Sequence, residues 1–417
     1  MDEMNTIIRQ IEAWLDQGEI AGASLIIRKN GNIIMDGHFG YADLDRKIPV
    51  TRHSIYRMMS MSKVITAVGV MKLVEDGKIS LEDPVSKYIP AFAQPRVVQD
   101  ERYVYDPKMS KLRMAALVAG FRLDRVKTVP AEREITIRDL LTHSSGLEQG
   151  VAGFIASLKN HNVNESLAAE IQKYAAYPLD FQPGTATSYS PIAGFDTLLR
   201  ICEIVSGKRA DIYLKESIFD PLEMKDTAFS MSEEQQKRLV HVYKKNDRTL
   251  KDVTGTQEDM DGMLHRGEHM ISGSGGIYAT CQDYERFAHM LCDEGVLGKE
   301  RILKPETVRL IRSEGAISHL EPEPGMVWGL GVRIRQRPEL TGGNATPGTY
   351  GWSGAFGTHF FISPEDQLDA VWCTNRTDAG GSGFPISKKI EQLVFEQASD
   401  LEGTNHEESF FTGNAGI

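Results

Sequence analysis

Residues 56–90 read YRMMSMSKVITAVGVMKLVEDGKISLEDPVSKYIP, and a lysine stands among them where a buried helix would not be expected to hold one. Apolar side chains run through Met58, Met59, Met61, Val64, Ile65, Val68, Val70 and Met71, with almost no polar face before Lys72. A helix that is apolar all round belongs inside a protein, and an ammonium is almost never buried there without a partner or a task. Lys63 follows Ser60 by three residues, a spacing that puts both on one side of a helix. Two explanations compete on this stretch alone. Either Lys63 snorkels to water while Ser60 bonds its own helix, or the two are a hydroxyl and its base.

The bulk of the chain narrows the choice. At 417 residues it is long enough for one large unit of two interlocked lobes or for two domains. A formal charge of −11 with no basic stripe argues against nucleic acid as a partner. Cys202, Cys281, Cys292 and Cys373 lie far apart in apolar runs with no C-x-x-C pair, which reads as buried free thiols in a reducing compartment. The opening MDEMNTIIRQIEAWLDQGEI is an acidic amphipathic helix without the basic start and apolar centre of a signal peptide. No segment reaches the roughly 18 apolar residues of a membrane span. A cytoplasmic protein with no membrane partner is the expectation, provided that the chain naturally begins here.

Strands are expected at both ends of the chain. Two β-rich runs flank Asn30-Gly31, a strong hairpin signal, and VWGLGVRI, TYGWSGAFGTHFFISP and LDAVWCTN read as strands before a helix over about 385–399. Helices fill the middle, with an irregular excursion at 94–134 and a polar, Gly-rich loop at 245–275. The simplest compact solution is an α/β (α+β) fold in which one antiparallel sheet joins both ends, flanked by helices, beside a mostly helical lobe. The expected division is a sheet lobe of residues 1–55 and 271–402, a helical lobe of 56–270 and a loose tail at 403–417. Ser60 then falls at the cleft between the lobes, where sites concentrate.

A serine nucleophile needs a base in hydrogen-bond reach and donors aimed at the developing oxyanion. The G-x-S-x-G elbow is absent, whereas S-x-x-K occurs once, at Ser60–Lys63. An apolar wall disfavours a charged lysine, which makes Lys63 a candidate base. In QPGTATSYSPIAGFDTLLRICEIVSG, Tyr189 precedes a long helix and could shuttle a proton; packing of its ring at a helix start is the plainer alternative. In GWSGAFGTHFFISP, Gly351 and Gly354 let a strand pass close to a ligand, or merely soften an edge strand.

Together these motifs resemble the serine β-lactamase and penicillin-binding-protein superfamily, in particular its class C-like branch of family VIII-type esterases, D-aminopeptidases and transesterases. The resemblance runs in order over about residues 20–400. Ser60-Met61-Ser62-Lys63 matches S-x-x-K, Tyr189-Ser190-Pro191 matches Y-x-N with Pro191 for the Asn, and Trp352-Ser353-Gly354 matches the K-T-G or H-x-G strand with Trp for the cation. LLTHSSGL and GSGGIYATCQDYERFAHML are similar to structural signatures of the same superfamily. The resemblance implies a β-lactamase/transpeptidase-like fold with Ser60 acylated, Lys63 and Tyr189 sharing general-base and general-acid duties, and an oxyanion hole from the backbone N–H groups of Ser60 and Ala355. Trp352, Ser353, Gly354 and Pro191 would contact substrate, with no metal and no cofactor.

The departures point to the substrate. Pro191 has no donor for a substrate amide, and Trp352 cannot pair with the carboxylate of a penicillin or peptidyl-D-alanine. A neutral ester is therefore expected, making the protein a carboxylesterase acting through an acyl-enzyme. A β-lactamase, D-aminopeptidase or other amide hydrolase of the same fold is the alternative within catalysis, and a non-catalytic sensor or scaffold for an acyl ligand is the alternative outside it. Other signals carry less. His265, Glu268 and His269 in HRGEH match an inverted zinc-protease pattern, but Gly267 interrupts the helix it needs. The GSGG run lacks the context of a phosphate loop, and EPEPG reads as a solvated acidic loop.

Overall fold

The computed structural model describes residues 4–103, 109–162, 164–247, 249–259, 270–313 and 321–400. From the N-terminus run α1 (Met4–Asp16), β1 (Gly22–Lys29), β2 (Asn32–Asp43), β3 (Ile48–Pro49), β4 (Ile55–Arg57) and α2 (Ser62–Glu75). The middle holds β5 (Arg96–Val98), α3 (Lys111–Gly120), β6 (Thr128–Pro130), α4 (Ile137–Leu141), α5 (Val151–Asn160), α6 (Leu167–Ala175) and α7 (Ala193–Ser206). Next come α8 (Ala210–Leu214), α9 (Glu233–Gln236), β7 (Tyr243–Asn246), β8 (Thr249–Asp252), β9 (Tyr278–Thr280) and α10 (Cys281–Cys292). The last part comprises β10 (Val296–Leu297), β11 (Glu300–Arg301), α11 (Pro305–Ile311), β12 (Met326–Trp328), β13 (Arg333–Arg335), β14 (Thr349–Ser353), β15 (His359–Ser363), β16 (Leu368–Cys373) and α12 (Pro385–Asp400).

One antiparallel sheet of eight strands joins the two ends of the chain, in the order β12-β13-β14-β15-β16-β1-β2-β3. Its seam is the pairing of β1 with β16, in register from Ser24↔Cys373 to Lys29↔Leu368. The hairpin at Asn30-Gly31 forms as its residues require, with φ of 50° and 78° at the two turn positions. On one face α1 and α12 bury Ile7, Ile11, Trp14, Ile390 and Leu393 against Phe361, Ala370 and Trp372, with Trp14 meeting Trp372 edge-on at 6.3 Å. On the other face α10, α2 and the middle helices share one continuous apolar core with Phe360, Ile362 and Val371. The architecture is the expected α/β (α+β) one, an antiparallel sheet that joins both ends of the chain and is flanked by helices. No helix among the described residues is long and apolar enough to cross a membrane.

Two segments differ from the expectation. The described residues of 94–134 hold regular elements: β5 pairs with β6 through Val97↔Val129, and α3 is capped by Ser110, whose side chain accepts the Arg113 N–H. None of the α3 residues is fully buried, so it carries no clear apolar stripe by which to read it. Likewise β7 and β8 form a ribbon inside the expected loop, with Lys244 opposite Lys251 and only Tyr243 buried, which leaves no period-two apolar pattern. The HRGEH motif lies outside the described residues.

Candidate active site

Ser60 lies just ahead of α2, in a 3-10 turn over Met59–Met61, and not inside the long helix. Met59 enters that turn at φ 49°. A left-handed non-glycine residue costs about 1 kcal/mol or more and persists only when its surroundings hold it. The Met59 side chain is fixed in a small apolar cluster with Val242, Val253 and Phe356, against which Ala355 also packs. The flanks are pinned as well. Met58 N–H donates to Ile277 O at 3.0 Å, Tyr284 OH to Met61 O at 2.9 Å, and Ile277 N–H to Ser62 Oγ at 3.1 Å.

Lys63 is fully buried, so it does not snorkel. Its Nζ donates to Pro191 O at 2.7 Å and Ser274 O at 2.9 Å, and lies 3.4 Å from Ser60 Oγ. Those three acceptors match the three N–H bonds that an ammonium offers. The amine thus sits among carbonyl oxygens, not against the purely apolar wall expected from its helix. On the far side of Ser60, Tyr189 OH reaches Oγ at 2.6 Å, and Lys63 Nζ lies 4.9 Å from the centre of the Tyr189 ring. The structure therefore brings Ser60, Lys63, Tyr189 and Pro191 into one contact set.

Three buried polar groups hold this set, and sequence reasoning singled out none of them as functional. His143, in LLTHSSGL, packs its ring 4.9 Å from that of Tyr189 and accepts the Ser190 N–H on Nδ1 at 3.1 Å. A backbone N–H can only donate, so Nδ1 is unprotonated; burial and the nearby Lys63 charge push the His143 pKa well below the ordinary histidine value. Glu148 accepts the Ile192 and Ala193 N–H groups at 2.8 and 2.6 Å, which fixes the start of α7 behind Tyr189. Burial raises the pKa of that carboxyl. Asp196 on α7 accepts from Ser272 Oγ at 2.8 Å and Ser274 N–H at 3.0 Å, and burial pushes its pKa up to about 6. It shapes the Gly-rich turn that delivers Ser274 O to Lys63. The turn completes the lysine's shell. The available signal was an Asp one turn into α7 after the Tyr-Ser-Pro motif.

The third strand is placed differently from its expected use. Trp352 is 8% exposed, with its ring 5.3 Å from Tyr189 and 4.7 Å from Trp328, and Arg333 stacks over it at 5.3 Å. It acts as a wall behind Tyr189 more than as open surface. The Ser353 hydroxyl is buried and lies 2.8 Å from His359 Nδ1, next to Glu391 on α12, so it is committed away from Ser60. A side chain at Gly354 would put its Cβ 2.4 Å from Met58 O, and one at Gly351 would lie 2.1 Å from Phe360 O. Both glycines serve close backbone approaches within the protein. Gly354 in particular lets the end of β14 reach the segment that carries Ser60. Past it, Ala355 N–H donates to no acceptor among the described residues.

A Gly354→Ala variant is accordingly expected to fold and yet lose at least about tenfold in turnover, because the strand end must back away from Met58 by more than the few tenths of an ångström that packing tolerates. Comparison of kcat and thermal midpoint for wild type and variant checks this. An unchanged kcat would show that the approach has no part in positioning.

The Beta-lactamase family model matches residues 5–393. The chain belongs to the beta-lactamase family. Among its relatives in that family, an uncharacterized protein of Mycobacterium tuberculosis is 28% identical over 386 residues, covering 88% of each chain. Esterase EstB of Burkholderia gladioli is 23% identical over 424 residues, covering 94% of this chain and 95% of that protein. EstCE1, described as a hydrolase with promiscuous acyltransferase activity, has a solved structure similar in fold, with TM-score 0.75 at 23% identity over 94% of this chain and 99% of that one. Beta-lactamase-fold members of this kind are serine hydrolases or acyltransferases, and esterases are among them.

Among the described residues, one group of His, Cys and acidic side chains is close enough to hold a metal: His289, Cys292 and Asp369. It lies at the opposite end of β16 from the strand end that faces Met58, and takes no part in the contact set around Ser60.

Proposed function

We propose that this beta-lactamase-family protein is a serine carboxylesterase that forms and hydrolyses an acyl-enzyme on Ser60. The observation that carries the reading is the Ser60 hydroxyl held between Tyr189 OH at 2.6 Å and Lys63 Nζ at 3.4 Å. Ser60 Oγ attacks the ester carbonyl when the Tyr189–Lys63 pair is one proton short, as phenol beside neutral amine or phenolate beside ammonium; the pair takes the hydroxyl proton and returns it to the departing alkoxide. Water then attacks the acyl-enzyme, with the same pair taking and giving the proton in reverse order. The N–H groups of Ser60 and Ala355 are assigned to the oxyanion. Pro191 serves through its carbonyl: it takes over the lysine-orienting part of the motif's Asn and leaves out the side-chain amide that would meet a substrate amide.

Neutral esters fit this site better than β-lactams. A β-lactam carboxylate at the third strand calls for a cation, and a charge-assisted hydrogen bond there contributes roughly 1.5–3 kcal/mol. Trp352 supplies an apolar ring instead, and its indole N–H is buried without a partner among the described residues. Clear turnover of short-chain p-nitrophenyl esters is expected, with poor or no turnover of a chromogenic cephalosporin. Trp352→His should shift the kcat/KM ratio toward the cephalosporin by roughly tenfold, the equivalent of about 1.4 kcal/mol. A wild type that prefers the cephalosporin would replace the esterase reading with that of a β-lactamase.

A further inference from the structure

We propose that His289, Cys292 and Asp369 bind a single zinc-class divalent ion that ties α10 to the central sheet. His289 and Cys292 stand three residues apart on α10, so they share one face of the helix, and Glu285 lies one turn before them. Directly opposite is Asp369 on β16, and the three ligand atoms lie within 4.8 Å of one another. A small inward movement of each brings imidazole nitrogen, thiolate and carboxylate to the roughly 2.0–2.3 Å of a zinc site. Sulfur and nitrogen in the set select zinc or cobalt over calcium or magnesium.

The carboxylate gives the second indication. Asp369 is fully buried, one of its oxygens lies 3.1 Å from His289 Nδ1, and the other, Oδ1, has no hydrogen-bond partner among the described residues. An unpaired buried carboxylate oxygen is costly to leave bare, and a metal ion would satisfy it. The charges also close. Arg28 faces the cluster but pairs with Glu285 at 2.6 Å, so those two cancel. One divalent cation then balances the Asp369 carboxylate and the Cys292 thiolate, whose proton leaves to water on binding. Of the three ligands, Cys292 is the one that borders open space. Cys292 is only partly buried, unlike the other three cysteines, and it lines a cavity of about 720 Å³ together with Asp293, Glu294, Arg301 and Arg312.

The test is a cobalt(II) titration of the full-length protein after chelator stripping. One equivalent should give a thiolate-to-cobalt charge-transfer band in the near ultraviolet. The band should be absent in Cys292→Ser, a near-isosteric change at a partly exposed position. Zinc affinity, measured by competition with a chromogenic chelator, should fall at least about 100-fold in Cys292→Ser and in Asp369→Asn, beyond the usual cost of losing a residue that only orients a ligand. Zinc should also raise the thermal midpoint of the wild type and protect Cys292 from alkylation, with neither effect in Cys292→Ser. Stripped and loaded wild type should hydrolyse esters equally, so this outcome and that of the esterase assignment are read separately. Absence of a thiolate band at saturating cobalt, or a band that survives Cys292→Ser, would overturn the proposal.

Discussion

Replacing Ser60 by alanine is expected to abolish ester turnover and labelling by a fluorophosphonate probe, with a rate loss on the order of 10³-fold or more, as when one member of a cooperating catalytic unit is removed. The fold should survive. Ser60 is only partly buried, and among the described residues its Oγ is engaged by Tyr189 and Lys63 alone. The elements that hold the turn, Met59 in its apolar cluster and the Ile277 and Tyr284 hydrogen bonds, do not involve the hydroxyl. A thermal midpoint close to that of the wild type should therefore accompany the loss. Mass spectrometry of the labelled wild type should place the probe on the peptide carrying Ser60. The telling alternative is Ser353, which lies between Trp352 and Gly354 at the end of β14. Its hydroxyl is buried and engaged by His359, so label there would refute the nucleophile assignment.

The sheet was legible because its signals are local: Asn30-Gly31 sets one hairpin, and apolar runs set β14, β15 and β16. The helix after Ser60 was legible because nearly every side chain in it is buried. What escaped was whatever depends on contacts distant in the chain. The α3 helix and the β7–β8 ribbon lie on surfaces where no apolar period records them. For Lys63, the sequence shows an amine in an apolar helix, yet its two carbonyl partners come from residues 128 and 211 positions away. His143, Glu148 and Asp196 look like ordinary polar residues in a linear reading. They are found only when the loop before α7 and the Gly-rich turn are seen to close around the amine. Ser353 and Trp352 show the converse limit: a motif match placed them on the strand but not the direction of one hydroxyl or the depth of one ring.

Lys63→Ala and Tyr189→Phe should each lower kcat/KM by at least about 10²-fold, the usual scale for a positioned acid–base group, and their combined loss should fall well short of the product. Both side chains reach the same oxygen, Ser60 Oγ, and Nζ sits against the Tyr189 ring. Removing either breaks the one proton path, and removing the second has little left to break. The two singles differ in stability, which separates catalysis from folding. Tyr189→Phe deletes one hydroxyl and keeps the ring packed on His143, Trp328 and Trp352, so its thermal midpoint should hardly move. Lys63→Ala strands the carbonyls of Pro191 and Ser274, at about 1–3 kcal/mol for each buried acceptor left unsatisfied, so its midpoint should fall clearly. Rates are to be compared at a temperature where far-ultraviolet circular dichroism shows every variant folded. Multiplicative losses in the double variant would mean that Lys63 and Tyr189 act on separate steps, one of them serving only to place the substrate. A Tyr189→Phe variant with near wild-type turnover would leave Lys63 as the sole proton acceptor, and the 2.6 Å contact of Tyr189 with Ser60 as positioning alone.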